Sequence, residues 1–177
     1  MKITNTENQY GIVAILLHWG MAIILIGMVA LGLYMTALPV SLLKLKLYGW
    51  HKEFGVLVLI LVMLRIVWRI ANITPSLTSL PWWESLAARS VHWAFYGFML
   101  ALPITGWLMT SAAGLAPSFF GLFVLPNLIA PNESHRLLFA EIHQWLAYGL
   151  IATFCAHVGA ALKHEFIDKD EIMRRML

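Results

Sequence analysis

The sequence predicts an all-α integral membrane protein, a four-helix up-and-down bundle forming a single domain over residues 1–177. Three observations predict it. Hydrophobic residues make up 60% of the chain and charged residues 12%, about half the charged share of a soluble domain, and the mean hydropathy is +0.77. Apolar stretches that can supply the roughly 20 residues of a membrane-crossing helix recur four times, at about 10–36, 47–70, 88–111 and 134–163. Histidines fall inside those stretches, where an ionisable side chain is a functional candidate by default.

Each element has its own local signal. In the first span, Gly11 to Leu38 holds no formal charge for twenty-eight residues, far beyond the 7–15 of a signal-peptide core. A cleaved signal is therefore not expected. A loop at Pro39 follows, and Ser41 is placed to cap the next helix. The second span, Leu47 to Ile70, starts with His51, Lys52 and Glu53 and ends with Arg65 and Arg69. It reads as a tilted helix whose basic side chains snorkel to the head groups, with a re-entrant segment as the alternative. Asn72 to Trp83 reads as a surface loop. The third span, Ala88 to Ser111, holds His92 near its start and Pro103 inside it, where a kink is expected. Ala112 to Asn132 is the longest connection, aromatic and proline-rich, expected on the membrane surface or as a cap on the bundle. The fourth span opens near Ser134, and a short charged tail follows it from His164.

Charge places the termini. With both termini inside, the inside segments carry Lys2, Arg65, Arg69, Arg89, Lys163, Lys169, Arg174 and Arg175; the outside segments carry Lys44, Lys46, Lys52 and Arg136. Eight against four favours cytoplasmic termini. The net charge of +3 is too small to argue for nucleic acid. A single cysteine, Cys155, excludes an internal disulfide, a thiolate cluster and covalent haem attachment through C-x-x-C-H. A small buried thiol is the expected role for Cys155.

The fourth span carries the decisive pattern. His143 and His157 are fourteen residues apart, which is about 21 Å along a helix and within roughly 40° of a whole number of turns. One apolar helix face thus presents two imidazoles, one near each side of the bilayer. Neutral imidazole is a good iron ligand, so this helix is expected to give one axial ligand to each of two stacked, non-covalent haems. Span direction then sorts the rest. His51 and His143 form an outer layer. His18, His92 and His157 form an inner one, and spacing leaves open whether His18 or His92 partners His157. His135 and His164 fall at span ends, near water. A structural packing role is the plain alternative for any one histidine. A non-haem metal would want carboxylates or thiolates in one layer; the outer layer offers only Glu53 and Glu141 nearby and the inner layer no well-buried acid.

Spans one and three echo each other: His18-Trp19 with Gly32 and Met35, then His92-Trp93 with Gly106 and Met109, at identical spacings. Compositional bias alone could also produce this. Glycines within spans (Gly27, Gly32, Gly149, Gly159, and Gly55 one turn after His51) suit either a flat macrocycle or plain helix packing.

These residues resemble the bacterial cytochrome b561 family. The resemblance rests on His18-Trp19 early in span one, His51-Lys52 opening span two, His92 early in span three, His143 and His157 in span four, and the Phe166-Ile167-Asp168-Lys169-Asp170 tail. It implies two haems b with bis-histidine ligation, His18 and His157 holding the inner one and His51 and His143 the outer one. It implies the bacterial inner membrane. One branch of that family oxidises superoxide at the outer face and passes electrons through both haems to ubiquinone near the inner face, and the position matching His92 is associated there with the quinone. The lysines before span two and the long loop before span four differ in detail from that branch.

Three functions follow as expectations. The chain could be a superoxide:ubiquinone oxidoreductase. It could be a quinol-linked relay serving a periplasmic redox protein docked on the aromatic loop from Pro117 to Pro131. It could also be a cofactor-free membrane anchor. In the first two, irons stacked about 20 Å apart bring the macrocycle edges near enough for tunnelling. Lys44, Lys46, Lys52 and Arg136 could pair with outer propionates or draw an anion to the outer face. Arg65, the deepest of the inner arginines, is the best candidate for a specific inner partner.

Overall fold

The computed structural model describes residues 2–76, 80–170 and 172–176. Residues 77–79 of the loop after span two, and residues 171 and 177 of the tail, lie outside the described residues. Four long helices dominate: α1 (Ile12–Ala37), α2 (Leu42–Ala71), α3 (Trp82–Ala112) and α4 (Glu133–Lys163). All four are long and apolar enough to cross a membrane. The fold is a four-helix membrane bundle.

Side-chain chemistry fixes where these helices start. The Ser41 hydroxyl accepts from the Lys44 amide, and the Asn132 side chain accepts from the His135 amide, each satisfying one of the orphan donors of a first turn. Lys44 then reaches back, its Nζ 2.6 Å from the Leu38 carbonyl and 3.5 Å from that of Thr36. It satisfies carbonyls that α1 leaves open at its C-terminus. The second span is one continuous helix of 30 residues, so the re-entrant alternative is excluded. α3 runs unbroken through Pro103.

Helix packing divides the bundle into two pairs. α3 lies against α4, and α1 against α2, with α2 and α3 joining the pairs. Among the described residues, the direct packing of α4 on α1 and α2 is slight. The dry core is small: Met21, Val62, Tyr96 and Met99, from α1, α2 and α3. Leu16, Ile23, Leu33, Val67 and Ile70 are exposed, as lipid-facing side chains should be.

The two ends differ. At one, both termini meet the loop after α2: Asn5 Nδ2 donates to the Ile73 carbonyl, Ser76 N to the Glu7 carbonyl, and Arg175 to the Ser76 carbonyl. Trp19 Nε1 reaches the Met176 carbonyl at 2.8 Å. At the other end, the connection from α3 to α4 forms a small hairpin of β1 (Ser118–Phe119) and β2 (Phe123–Val124). Its three-residue loop, Phe120 to Leu122, has positive φ at Phe120 and Gly121, and the Leu122 amide donates to the Phe119 carbonyl at 2.8 Å, closing a tight turn. Phe120 packs edge-on against Phe54 of α2 at 5.3 Å. The connection thus caps the bundle, one of the two placements expected from sequence.

Candidate haem-binding site

Two groups of imidazoles lie at two depths. Near the hairpin end, His51 of α2 and His143 of α4 have ring centroids 6.2 Å apart. Near the terminal end, His157 of α4 lies 6.2 Å from His18 of α1 and 5.9 Å from His92 of α3. The structure therefore brings together the histidines that sequence spacing sorts into layers, and it leaves His157 within reach of both inner candidates.

The surroundings of each ring differ in ways that bear on its chemistry. At the hairpin end, Thr105 of α3 has its hydroxyl 2.8 Å from the Ala101 carbonyl and 3.1 Å from His143 Nδ1. With the hydroxyl proton committed to the i−4 carbonyl, the oxygen accepts from His143 Nδ1–H. His51 Nδ1, by contrast, is buried with no hydrogen-bond partner among the described residues. At the terminal end, Arg65 Nη2 lies 3.3 Å from His18 Nδ1. A guanidinium donates and cannot accept, so this contact places the His18 proton on Nε2, the reverse of His143.

Two glycines make room for the hairpin-end rings. A Cβ on Gly32 of α1 would sit 3.4 Å from His51 Cε1, and one on Gly106 of α3 would sit 3.4 Å from His143 Cε1. These are the glycines of the sequence echo. Thr36 and Thr110, four residues on, each bond back to the carbonyl of that glycine. The echo is thus a structural repeat: each helix pair seats its own histidine on its own glycine. Of the other span glycines, Gly149 faces the Phe98 ring and Gly55 the Met28 methyl, while Gly27 and Gly159 have open space beside them.

The remaining predicted site residues fall around these layers. Arg65 lies over the Tyr96 ring at 5.9 Å, and Arg69 over Tyr96 and Trp93 at 5.6 and 6.0 Å. Tyr10, just before α1, is drawn toward them; burial pushes its phenol up, and Arg69 and Arg65 pull it back down. Lys52 is half-buried one residue after His51. Lys44 is occupied as the cap on α1, and Lys46 lies 5.1 Å from the Trp50 ring. Arg136 pairs with Glu133 one turn back.

One acidic group was not legible as such. Glu84, His164 and Asp168 bring ligand atoms within 4.8 Å of one another. Lys163 already occupies them, its ammonium bonded to Glu84 at 3.0 Å and to Asp168, and Asp170 holds His164 Nδ1 at 2.7 Å. A cation in that position makes the cluster an ion-pair knot between α3 and α4.

A four-helix membrane bundle with imidazoles paired at two depths is the class of protein that holds redox groups inside a bilayer. The family model for Prokaryotic cytochrome b561 matches residues 9–177, and this chain belongs to the cytochrome b561 family, haem b-binding proteins of membrane electron transfer in bacteria. It is 36% identical over 185 residues to Cytochrome b561 homolog 2 of Escherichia coli (strain K12), covering 100% of this chain and 95% of that one. It is 32% identical over 188 residues to Cytochrome b561 homolog 1 of the same organism, covering 96% and 97%. It is 29% identical over 128 residues to the "Probable superoxide oxidase CybB" of Yersinia pestis, covering 72% of each.

The residues fit a haem. Two imidazoles bound trans to one metal, each with a metal–nitrogen bond of about 2 Å, place their ring centres roughly 6 Å apart. Both cross-bundle pairs meet that spacing. Direct packing of α4 against α1 and α2 is slight, as it would be if a flat group were held between them by these histidines.

Proposed function

We propose that the chain carries electrons across the bacterial inner membrane through two haems b. His51 and His143 hold one at the hairpin end; His18 and His157 hold the other at the terminal end. The observation that carries this is the pair of 6.2 Å centroid separations, one at each depth. When bound, the haem irons supply one-electron redox chemistry. The chain's own residues supply ligands, depth and charge. His92, 5.9 Å from His157, is left for a quinone at the terminal end. To offer Nε2, His18 would have to carry its proton on Nδ1, where Arg65 Nη2 now lies at 3.3 Å; a displaced Arg65 would be placed to pair with a haem propionate. The hairpin end faces the periplasm and both termini face the cytoplasm, in keeping with the basic excess at the terminal end.

The donor we propose is superoxide and the acceptor ubiquinone. Two superoxide ions each give up one electron and leave as dioxygen; the quinone takes two electrons and two protons and leaves as quinol. Lys52, beside His51, contributes positive charge that draws the anion. A likeness to a "Probable superoxide oxidase" supports the donor. The second function, a quinol-linked relay to a periplasmic redox protein, is favoured by the exposed hydrophobic side chains of the hairpin connection, Leu122, Val124 and Leu128.

The test uses the oxidised protein in detergent with superoxide generated beside it. Reduced b-type bands should appear within the mixing time and vanish on adding quinone. Bands that form with quinol or dithionite but not superoxide would favour the relay. His51→Ala or His143→Ala should lower the haem-to-protein ratio from two to one and leave the terminal-end haem reducible; a variant retaining both haems would overturn the pairing.

A further inference from the structure

The two helix pairs repeat each other closely enough to show where one departs from the other. His18 and His92 open the repeat; Gly32 and Gly106 follow fourteen residues later and seat His51 and His143 at the same 3.4 Å; Thr36 and Thr110 bond back to those glycines. Thirteen residues after His92 stands Thr105, and thirteen after His18 stands Leu31. On α3 that position falls beside an imidazole. Thr105 lies 3.1 Å from His143 Nδ1. Leu31 has no polar atom in its side chain, and His51 Nδ1, presented to α1 across Gly32 as His143 is presented to α3 across Gly106, is buried without a partner among the described residues.

We infer that Thr105 is the positioning residue of the hairpin-end site, fixing His143 in the tautomer that leaves Nε2 free, and that His51 lacks this anchor because Leu31 occupies the matching place. The inference rests on the proposed ligation by this pair.

The chemistry runs in one direction. The Thr105 hydroxyl gives its proton to the Ala101 carbonyl and accepts from Nδ1–H. The lone pair of His143 is thereby held on Nε2, the ring is held in orientation, and an accepted hydrogen bond makes the imidazole a stronger donor to a metal. The same hydroxyl also lies 3.0 Å from the Leu102 carbonyl, a second backbone acceptor for its proton. Loss of Thr105 therefore removes the acceptor that fixes this ring. His51 has the seat without the anchor, so the two ligands of one iron are unequal by construction. A stronger donor favours the ferric state, so the anchored ring holds the midpoint potential of that haem down.

The experiment is a redox titration of the purified, haem-loaded protein followed in its visible bands, with His51→Ala identifying which step belongs to the hairpin-end haem. Thr105→Val keeps the shape and removes the acceptor. Its hairpin-end step should move to higher potential, the terminal-end step should stay, and haem transfer from that site to apomyoglobin should speed by about tenfold, the lower end of what loss of such a partner costs in metal affinity. Thr105→Ser should restore both values. Leu31→Thr supplies the missing acceptor to His51 and should move the same step to lower potential. Hairpin-end values unchanged in Thr105→Val, or both steps moved equally, would overturn the role of Thr105. An unmoved step in a two-haem Leu31→Thr protein would overturn the asymmetry. Wild-type protein without haem at His51 and His143 would instead defeat the ligation on which this inference rests.

Discussion

A Cβ at Gly106 would lie 3.4 Å from His143 Cε1, which is ordinary contact for one methyl and no more. The γ-carbons of a larger residue would have to enter the ring's own volume. Gly106→Ala is therefore expected to keep wild-type haem content. Gly106→Val is expected to push His143 off its seat and lose the hairpin-end haem, measured as the haem-to-protein ratio in the pyridine haemochrome assay. The same pair of substitutions at Gly32 should act through His51. The histidines themselves were legible, because an imidazole in an apolar span is rare and its spacing is informative. The glycines were legible only as an echo, since small residues serve helix packing equally well. Thr105 left no signal of its own. A threonine that bonds back to an i−4 carbonyl is common in apolar helices, and only the imidazole beside it makes it matter. The choice between His18 and His92 stayed open for a physical reason too: both rings lie about equally near His157.

Helix limits show what hydropathy can and cannot read. α2 begins at Leu42 and α3 at Trp82, five and six residues ahead of the apolar windows that announced them. Backbone hydrogen bonding continues past the bilayer core, and the cap decides where it stops. Ser41 was readable as such a cap. The start of α3 was not, because Glu84 gains its meaning from Lys163, seventy-nine residues away. The hairpin was hidden for a similar reason: Phe120 adopts positive φ, which few would assign to an aromatic residue, and its contact with Phe54 comes from another element. The Lys163 knot carries its own expectation. Lys163→Met leaves Glu84 and Asp168 facing each other without the cation between them. Amide hydrogen exchange in the π-helical turn His164–Asp168 should quicken, while exchange in the middle of α4 and the haem content stay at wild-type values.

Across the whole molecule, the four-helix architecture was evident from composition and the four apolar windows. The pairing of helices was not, because nothing in a hydropathy profile says which neighbour a helix chooses. The repeat explains the result: α1 with α2 and α3 with α4 each form a unit with a histidine resting on a glycine, and the haem-ligand pairs we propose cross from one unit to the other. His51 meets His143 and His18 meets His157 across that boundary.

That arrangement bears on how the protein matures in a living cell. If α4 meets α1 and α2 chiefly through four imidazoles, then the proposed metal bonds would be what fastens α4 to them, while α2 and α3 already join the two pairs. A cell short of haem should still make and insert the whole chain, yet α4 should stand loosely from α1 and α2. Limited proteolysis of membranes from haem-starved and haem-replete cells should show it. Cleavage in the Ala112 to Asn132 connection should be fast in the first and slow in the second, and adding haemin to the starved membranes should restore resistance. Prosthetic-group supply would then set how long this protein survives, as well as whether it works.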